Sequence, residues 1–162
     1  MTHILITGMS ATGKSTLIAE MRRRGYAAVD LDEPGWSETQ PGVAADGAPF
    51  EEWVWREDRV RDLLAQQHEV LFVSGCASNQ GQFYPQFDHV VLLTAPVEVT
   101  LQRLASRTTN NFGKRPEEVA RILEDKATVE PLLRRRATLE IDTRAPLEDV
   151  VSRVLAVLEA GQ

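Results

Sequence analysis

Residues 8–15 read G-x-x-x-x-G-K-S, and this segment constrains the fold more than any other part of the chain. It follows a short apolar run at residues 3–7 that is typical of a buried strand, and it precedes a stretch from 15 to 24 with apolar residues at helical spacing. A strand, a glycine-containing loop and a helix in this order form a phosphate-binding loop. Its glycines let successive main-chain N–H groups point at phosphate oxygens, and the helix adds the positive end of its dipole.

The side chains of this segment fit a nucleotide bound with Mg²⁺. Lys14 can bring a full charge to the β- and γ-phosphates, and the hydroxyl of Ser15 can ligate the metal ion. The residues predicted to bind the nucleotide here are Gly8, Ser10, Ala11, Thr12, Gly13, Lys14, Ser15 and Thr16.

Strand-like apolar runs alternate with helical patterns along the rest of the chain, whose 162 residues fit one domain spanning 1–162. The further predicted strands are 27–32, 69–75, 89–94 and 138–142. Predicted helices cover 50–67, 96–106, a stretch from Pro116 with a break near Val129, and 146–160, while 33–48 reads as a loop. This alternation predicts an α/β fold with a five-stranded parallel sheet of order 2-3-1-4-5 and helices on both faces.

The composition and charge of the chain argue against several kinds of binding partner. The net charge of −6 disfavours a large nucleic-acid surface, and no apolar run approaches the length of a membrane span. The single cysteine, Cys76, excludes an intrachain disulfide, and no secretory leader is visible, so we expect a cytoplasmic protein. A single cysteine and three scattered histidines do not make a zinc site.

A pair of acids, Asp30-x-Asp32, ends the second predicted strand. The carboxyl ends of strands are where ligands collect in such sheets, so the pair is expected to face the phosphate-binding loop. In an extended chain the two carboxylates project to the same side. One could support Mg²⁺ while the other meets the acceptor of a phosphoryl group.

These segments, together with Trp55-Arg56, Ser74-Gly75 and the arginine-containing stretch 107–115, resemble the shikimate kinase and gluconate kinase branch of the nucleoside-monophosphate-kinase-like P-loop enzymes. Chloramphenicol phosphotransferase is a further relative of similar layout. The resemblance implies a three-layer P-loop NTPase fold with a short lid at 107–116 and an acceptor-binding region at 33–60. It also implies the use of ATP and Mg²⁺ to transfer the γ-phosphoryl group to a hydroxyl or phosphate acceptor on a small molecule.

The resemblance assigns roles to individual residues. It implies that Asp30 holds Mg²⁺ with Ser15 and that Asp32 binds or deprotonates the acceptor hydroxyl. Trp55, Arg56 and Gly75 match substrate-binding positions. Arg59 stands where shikimate kinases have Glu, and the family's glycine-rich strand end reads Ser74-Gly75-Cys76, so an acceptor other than shikimate is expected. Arg59 is itself a candidate for binding an anionic group of the acceptor.

The lid and the base-binding loop complete the predicted site. Arg103-x-x-x-Arg107 resembles the adenylate kinase pattern in which one Arg stacks on adenine and the next contacts phosphates. Arg107 and Arg115 also resemble the shikimate kinase pair that stacks on the base and closes over the γ-phosphate. The two alignments leave the separate roles open. The segment Asp142-Thr143-Arg144 resembles the loop that lies against adenine. The predicted catalytic residues are Lys14, Asp32, Arg107 and Arg115.

Several alternatives remain open at this point. Trp36, Trp53 and Trp55 could form an apolar wall for a ring or belong to the core, and core is favoured for Trp53. No guanine-specificity segment is present, and the strand at 70–73 lacks the acidic end of a motor ATPase. A non-catalytic ATP-binding regulator and a nucleotide or nucleic-acid-end kinase are the competing functions. A monomer acting on a small molecule, with no nucleic acid or membrane partner, is favoured.

Overall fold

The structure, a computed structural model, describes residues 1–43, 46–107 and 114–160, with side chains up to 159. Its strands are β1 Thr2–Thr7, β2 Ala27–Asp30, β3 Ser37–Val43, β4 Pro49–Trp55, β5 Val70–Ser74, β6 His89–Thr94 and β7 Leu139–Asp142. Its α-helices are α1 Lys14–Arg23, α2 Glu57–Ala65, α3 Val97–Ser106, α4 Pro116–Thr128, α5 Glu130–Arg136 and α6 Leu147–Ala160, and a 3₁₀ segment covers Gln80–Gln86.

The main sheet has five parallel strands in the order β2-β5-β1-β6-β7. When the strands of this sheet are counted alone, that is the predicted order 2-3-1-4-5. Helices α1 and α6 cover one face with a core that contains Ile6, Phe72 and Val151. Helix α2 and the 3₁₀ segment cover the other face around Leu5, Trp55 and Phe83. The predicted α/β fold is therefore confirmed.

A second, antiparallel pair of strands, β3 and β4, forms a hairpin in register from Ser37 opposite Trp55 to Val43 opposite Pro49. This corrects two predictions, because 33–48 was expected to be a loop and 50–67 a helix. The segment 50–55 is rich in aromatic and β-branched residues, which favour strands, and only from residue 57 does the helical spacing of apolar residues apply. Pro41 is tolerated since a two-stranded ribbon offers only edge positions.

Hydrogen bonds close the hairpin at its open end and attach it to the main body. The Arg56 N–H donates to the Trp36 carbonyl at 2.7 Å, which closes the open end of the ribbon. The side-chain amide of Asn79 accepts from the Trp55 N–H and donates to the Trp55 carbonyl, both at 2.9 Å. The Ser78 N–H donates to the Trp53 carbonyl at 3.1 Å. The hairpin is thereby held beside the carboxyl end of β5.

The remaining elements match the sequence-based boundaries within a few residues. Strand β2 ends at Asp30 rather than residue 32, since the Glu33 N–H donates to the Asp30 carbonyl and turns the chain. The long helical stretch is divided at Val129, where α4 ends and α5 begins, as Pro131 predicts. Among the helices of the described ranges, none is long and apolar enough to cross a membrane.

Candidate active site

The phosphate-binding loop lies where β1 ends, at the edge of the sheet to which all five parallel strands point their carboxyl ends. Gly8 has φ 153°, and a Cβ on it would lie 2.5 Å from the carbonyl oxygen of Leu93, so only glycine fits there. Gly13 has φ 98° and precedes the first residue of α1. The Thr12 hydroxyl donates to the Met9 carbonyl at 2.8 Å, and the loop is thereby fixed from within.

Lys14 places its ammonium group at the mouth of this loop. The Nζ atom donates to the carbonyl oxygens of Gly8 at 2.7 Å and Met9 at 2.8 Å, and the residue is buried. A cation fixed beside a curved run of main-chain N–H groups, at the start of a helix, is a strong arrangement for binding phosphate.

Ser15 and Asp30 join the loop to the end of β2. The Ser15 hydroxyl donates to Asp30 Oδ2 at 2.7 Å, while Asp30 Oδ1 accepts the Asp32 N–H at 2.9 Å. Asp30 is the last residue of β2, and Asp32 lies in the turn that follows it. Leu31 between them is fully buried, and Asp32 is exposed. The expectation that both acids lie on an extended chain is therefore wrong.

The surroundings of Ser15 and Asp30 suit Mg²⁺ carried by a nucleotide. The hydroxyl of Ser74, which pairs with Asp30 in the sheet and is fully buried, has no hydrogen-bond partner. A buried hydroxyl usually has one, and a water of the metal's hydration shell would provide it. No group of three or more His, Cys, Asp or Glu residues that could hold a metal occurs within residues 1–43, 46–107 and 114–160. Mg²⁺ with one carboxylate and phosphate ligands needs no such group.

Asp32 is held by a residue that sequence reasoning had placed in the core. Its Oδ1 accepts a hydrogen bond from Trp53 Nε1 at 3.4 Å, and Trp53 is 40% exposed. The protein atoms crowding this carboxyl raise its pKa above the usual range, and the nearby charge of Asp30 adds to the effect, whereas Lys14 opposes it. Asp32 is thus a carboxylate with raised basicity, close enough to Lys14 to feel its charge.

The predicted acceptor residues are divided between the core and the surface. Trp55 is 1% exposed and packs against Phe83, with ring centroids 5.8 Å apart. A Cβ on Gly75 would lie 3.0 Å from Trp55 Nε1, so the packing of the indole explains that glycine. The predictions for the two tryptophans must therefore be exchanged: Trp55 belongs to the core, and Trp53 is exposed beside Asp32.

The two arginines of this region differ in their partners. Arg56 forms an ion pair with Glu38 across the hairpin at 3.5 Å. Arg59 is exposed and lies over the turn at Gly35. A Cβ built on that glycine would be 3.2 Å from the Arg59 Nη1 atom. Arg59 therefore remains the better candidate for an anionic group of the acceptor.

Contacts from α3 and β7 complete the nucleotide side. Arg103 contacts both the phosphate-binding loop and Thr143. Arg144 pairs with Asp142 at 2.7 Å and lowers the pKa of that carboxyl. Arg107 follows the last turn of α3, and Arg115 is the residue before α4. Most of the predicted lid, residues 108–113, lies outside the described residues, so the roles of the two lid arginines stay predictions.

Two residues near the site, Gln80 and Asn79, could not be recognised from the sequence. Gln80 is buried, donates to Thr7 Oγ1 at 3.1 Å and accepts the Ala77 N–H at 2.8 Å. Asn79 holds β4, as described above. Cys76 lies near Lys14 and Asp32, and burial raises the pKa of its thiol, which disfavours the reactive thiolate. Such polar contacts depend on tertiary structure and leave no periodic pattern.

The loop, the parallel sheet and the Ser15–Asp30 pair define a P-loop nucleotide-binding domain. A family model described as AAA domain matches residues 4–124, and the chain belongs to this family. No curated protein sequence matches the chain significantly.

Solved structures of shikimate kinases share the fold. The enzyme from Acinetobacter baumannii, in complex with shikimate, is 20% identical with a TM-score of 0.66, and the match covers 100% of this chain and 95% of that one. The enzyme from Bacteroides thetaiotaomicron is 20% identical with a TM-score of 0.61, covering 98% of both chains. That from Aquifex aeolicus is 17% identical with a TM-score of 0.57, covering 99% and 98%. The predicted resemblance is confirmed as a likeness of fold.

Proposed function

We propose that this protein is an ATP-dependent phosphotransferase that moves the γ-phosphoryl group to a hydroxyl of a small molecule. The observation that carries the proposal is the position of Asp32 beside the phosphate-binding loop, close to Lys14 and next to the exposed ring of Trp53. A carboxylate at this place could accept a proton from an acceptor hydroxyl. The shared fold with shikimate kinases supports the same reaction class.

The proposed reaction follows from the charged groups at the phosphate-binding loop and at Asp32. The loop N–H groups and Lys14 bind the β- and γ-phosphates and stabilise the charge that develops on them. Mg²⁺ would be held by Ser15 and Asp30, and it would neutralise part of the phosphate charge. Asp32 accepts the proton of the acceptor hydroxyl while the oxygen of that hydroxyl bonds to the γ-phosphorus. The bond from that phosphorus to the β–γ bridging oxygen breaks, and ADP leaves with the electron pair.

The acceptor would lie beside Asp32 and the exposed ring of Trp53 in the hairpin. The Trp53 ring offers an apolar face for a flat or cyclic molecule, and Arg59 could bind an anionic group. In the proposed scheme Arg107 and Arg115 close over the phosphates when both substrates are present, since a planar guanidinium binds phosphate through two hydrogen bonds.

A panel of hydroxylated metabolites and nucleotides, assayed for ADP release with Mg²⁺, tests this function. The wild-type protein should release ADP slowly alone and faster with its acceptor. Lys14→Ala should abolish the accelerated release. Asp32→Asn should lower kcat far more than it weakens ATP binding, whereas Glu33→Gln, a matched change at the next acid, should alter neither.

A non-catalytic ATP-binding regulator is the main competing function. It predicts ATP binding with no ADP release under any acceptor, and binding that Asp32→Asn leaves unchanged. Acceptor-stimulated release that survives in Asp32→Asn would contradict the proposed role of this carboxylate.

A further inference from the structure

Arg103 connects two segments that belong to opposite ends of a bound nucleotide. It lies in the last turn of α3, and its side chain is partly buried. Nη1 donates to the carbonyl oxygen of Ala11 at 3.1 Å, in the phosphate-binding loop. The same guanidinium donates to Thr143 twice, from Nη1 to Oγ1 at 3.0 Å and from Nη2 to the carbonyl oxygen at 2.8 Å. All three contacts are charge-assisted hydrogen bonds.

The two segments that Arg103 joins differ in how their main chains are held. Ala11 has φ 59°, the one residue other than glycine with positive φ in the described part of the chain, and this left-handed conformation is unfavourable for alanine. A cation on its carbonyl stabilises that conformation. Thr143 is fixed on its other side, because its N–H and its hydroxyl donate to the Thr94 carbonyl at 2.8 and 3.2 Å.

The two segments also lie close together at a second point. A Cβ on Gly13 would lie 4.0 Å from the methyl carbon of Thr143. The loop that follows β7 therefore lies beside the phosphate-binding loop, and the guanidinium of Arg103 makes the polar contact between them.

We infer that Arg103 is a positioning residue that joins the phosphate-binding loop to the loop after β7, so that the two parts of the nucleotide site bind as one unit. In this arrangement Arg103 supports phosphate binding through Ala11 and base binding through Thr143, without touching the nucleotide. This differs from stacking on the base, which the resemblance of Arg103-x-x-x-Arg107 to the adenylate kinase pattern implied for one of the two arginines. The inference rests on the proposed binding of ATP at the loop.

The test compares a ligand with a base and a ligand without one. Calorimetric titration with ATP and with inorganic tripolyphosphate, both with Mg²⁺, measures the two affinities. In Arg103→Met both should fall by a similar factor, about tenfold, which is within the range typical of coupling between two sites. Arg153→Met, a matched loss of an exposed arginine on α6 with one long contact to the Glu140 carbonyl, should change neither.

Thr143→Val separates positioning from direct contact. It removes the hydroxyl that accepts from Arg103 and donates to the Thr94 carbonyl, but it keeps the shape of the side chain and the contact of Arg103 with the Thr143 carbonyl. A smaller loss of tripolyphosphate affinity is expected, although Thr143 lies in the loop predicted to face the base. Combined with Arg103→Met, the loss should be smaller than the sum of the two single losses, since the two residues share a contact. If Arg103→Met does not fold by circular dichroism, Thr143→Val alone decides the question.

Three results would overturn the inference. Loss of ATP affinity alone in Arg103→Met would mean contact with the base. Loss of both affinities in Arg103→Met, with tripolyphosphate binding unchanged in Thr143→Val, would mean direct contact with phosphates. A wild-type protein that binds neither ligand would contradict the proposed function itself, and the inference with it; the first two results leave that function intact.

Discussion

At the residue scale, the site depends on glycine positions at which a side chain, even a single Cβ atom, would not fit. Gly8 meets the main chain of β6, and Gly75 meets the buried ring of Trp55. The glycines of the loop could be predicted from the sequence, because the motif itself requires them. The reason for Gly75 could not, since it depends on a tryptophan that is distant in the sequence and was expected to face the substrate.

Gly8→Ala should destabilise the protein more than Gly25→Ala. Both positions have positive φ, so each change costs about 1–2 kcal/mol in backbone strain. Only at Gly8 does the new methyl group meet the Leu93 carbonyl, and such overpacking typically adds about 1–3 kcal/mol. Urea denaturation of the two variants measures the difference. Equal midpoints would show that the loop relaxes away from β6 freely.

Asp32→Asn should make the folded protein more stable at neutral pH. The pKa of Asp32 is raised on folding, so its charged form is less favourable in the folded than in the unfolded state, and stability declines as pH rises through the folded pKa. The gain in melting temperature should therefore shrink as pH is lowered through that pKa and vanish where both states are protonated. Glu33→Gln, at an exposed acid paired with Arg22, serves as the control. A gain that does not depend on pH would rule out this titration as its cause.

At the scale of elements, the strand–loop–helix unit and the other parallel strands follow from sequence patterns, whereas the hairpin does not. Residues Trp53 and Trp55 alternate as in a strand, but they run straight into the helical spacing of Val60, Leu63 and Leu64. The two periods merge in one apolar stretch, and no glycine or proline separates them. The acceptor side of the site was therefore the part predicted least well.

Asn79→Ala should loosen the hairpin without disturbing the nucleotide side. It leaves the N–H and carbonyl of Trp55 without partners, which costs about 1–3 kcal/mol. We expect a raised KM for the acceptor, once it is found, and an unchanged affinity for ATP. Gln82→Ala, which removes one exposed hydrogen bond to Glu57, is the matched control. An equal loss of ATP affinity in Asn79→Ala would show that the hairpin also supports the phosphate-binding loop.

At the scale of the whole molecule, a buried ionic cluster joins α4 and α5 to the sheet. Glu130 is 5% exposed and pairs with Lys126 at 3.0 Å and Arg134 at 3.3 Å. Lys126 also donates to the carbonyl of Ala95, directly after β6. This cluster connects the helix that follows the predicted lid to the same edge of the sheet that carries the site.

Lys126→Met should destabilise the protein by about 2 kcal/mol. The change removes one partner of a buried carboxylate, and loss of the only partner typically costs about 3–5 kcal/mol, but Arg134 remains. Arg121→Met, which removes an exposed pair with Asp125 at 3.9 Å, should cost at most about 0.5 kcal/mol. Thermal denaturation of both variants measures this difference. Equal effects would show that Glu130 is adequately paired by Arg134 alone.

The order of strands has a consequence for how such a protein can diversify. The chain leaves the sheet after Asp30 and returns at Val70 in the strand directly beside it, since β2 and β5 are neighbours. The hairpin and α2 thus form an excursion between two adjacent anchor points. Such an excursion can change in length or sequence while the phosphate-binding loop and the Ser15–Asp30 pair stay in place. The choice of acceptor can therefore change in evolution by replacement of this segment alone. Chimaeras that exchange the segment between these two points would test this independence.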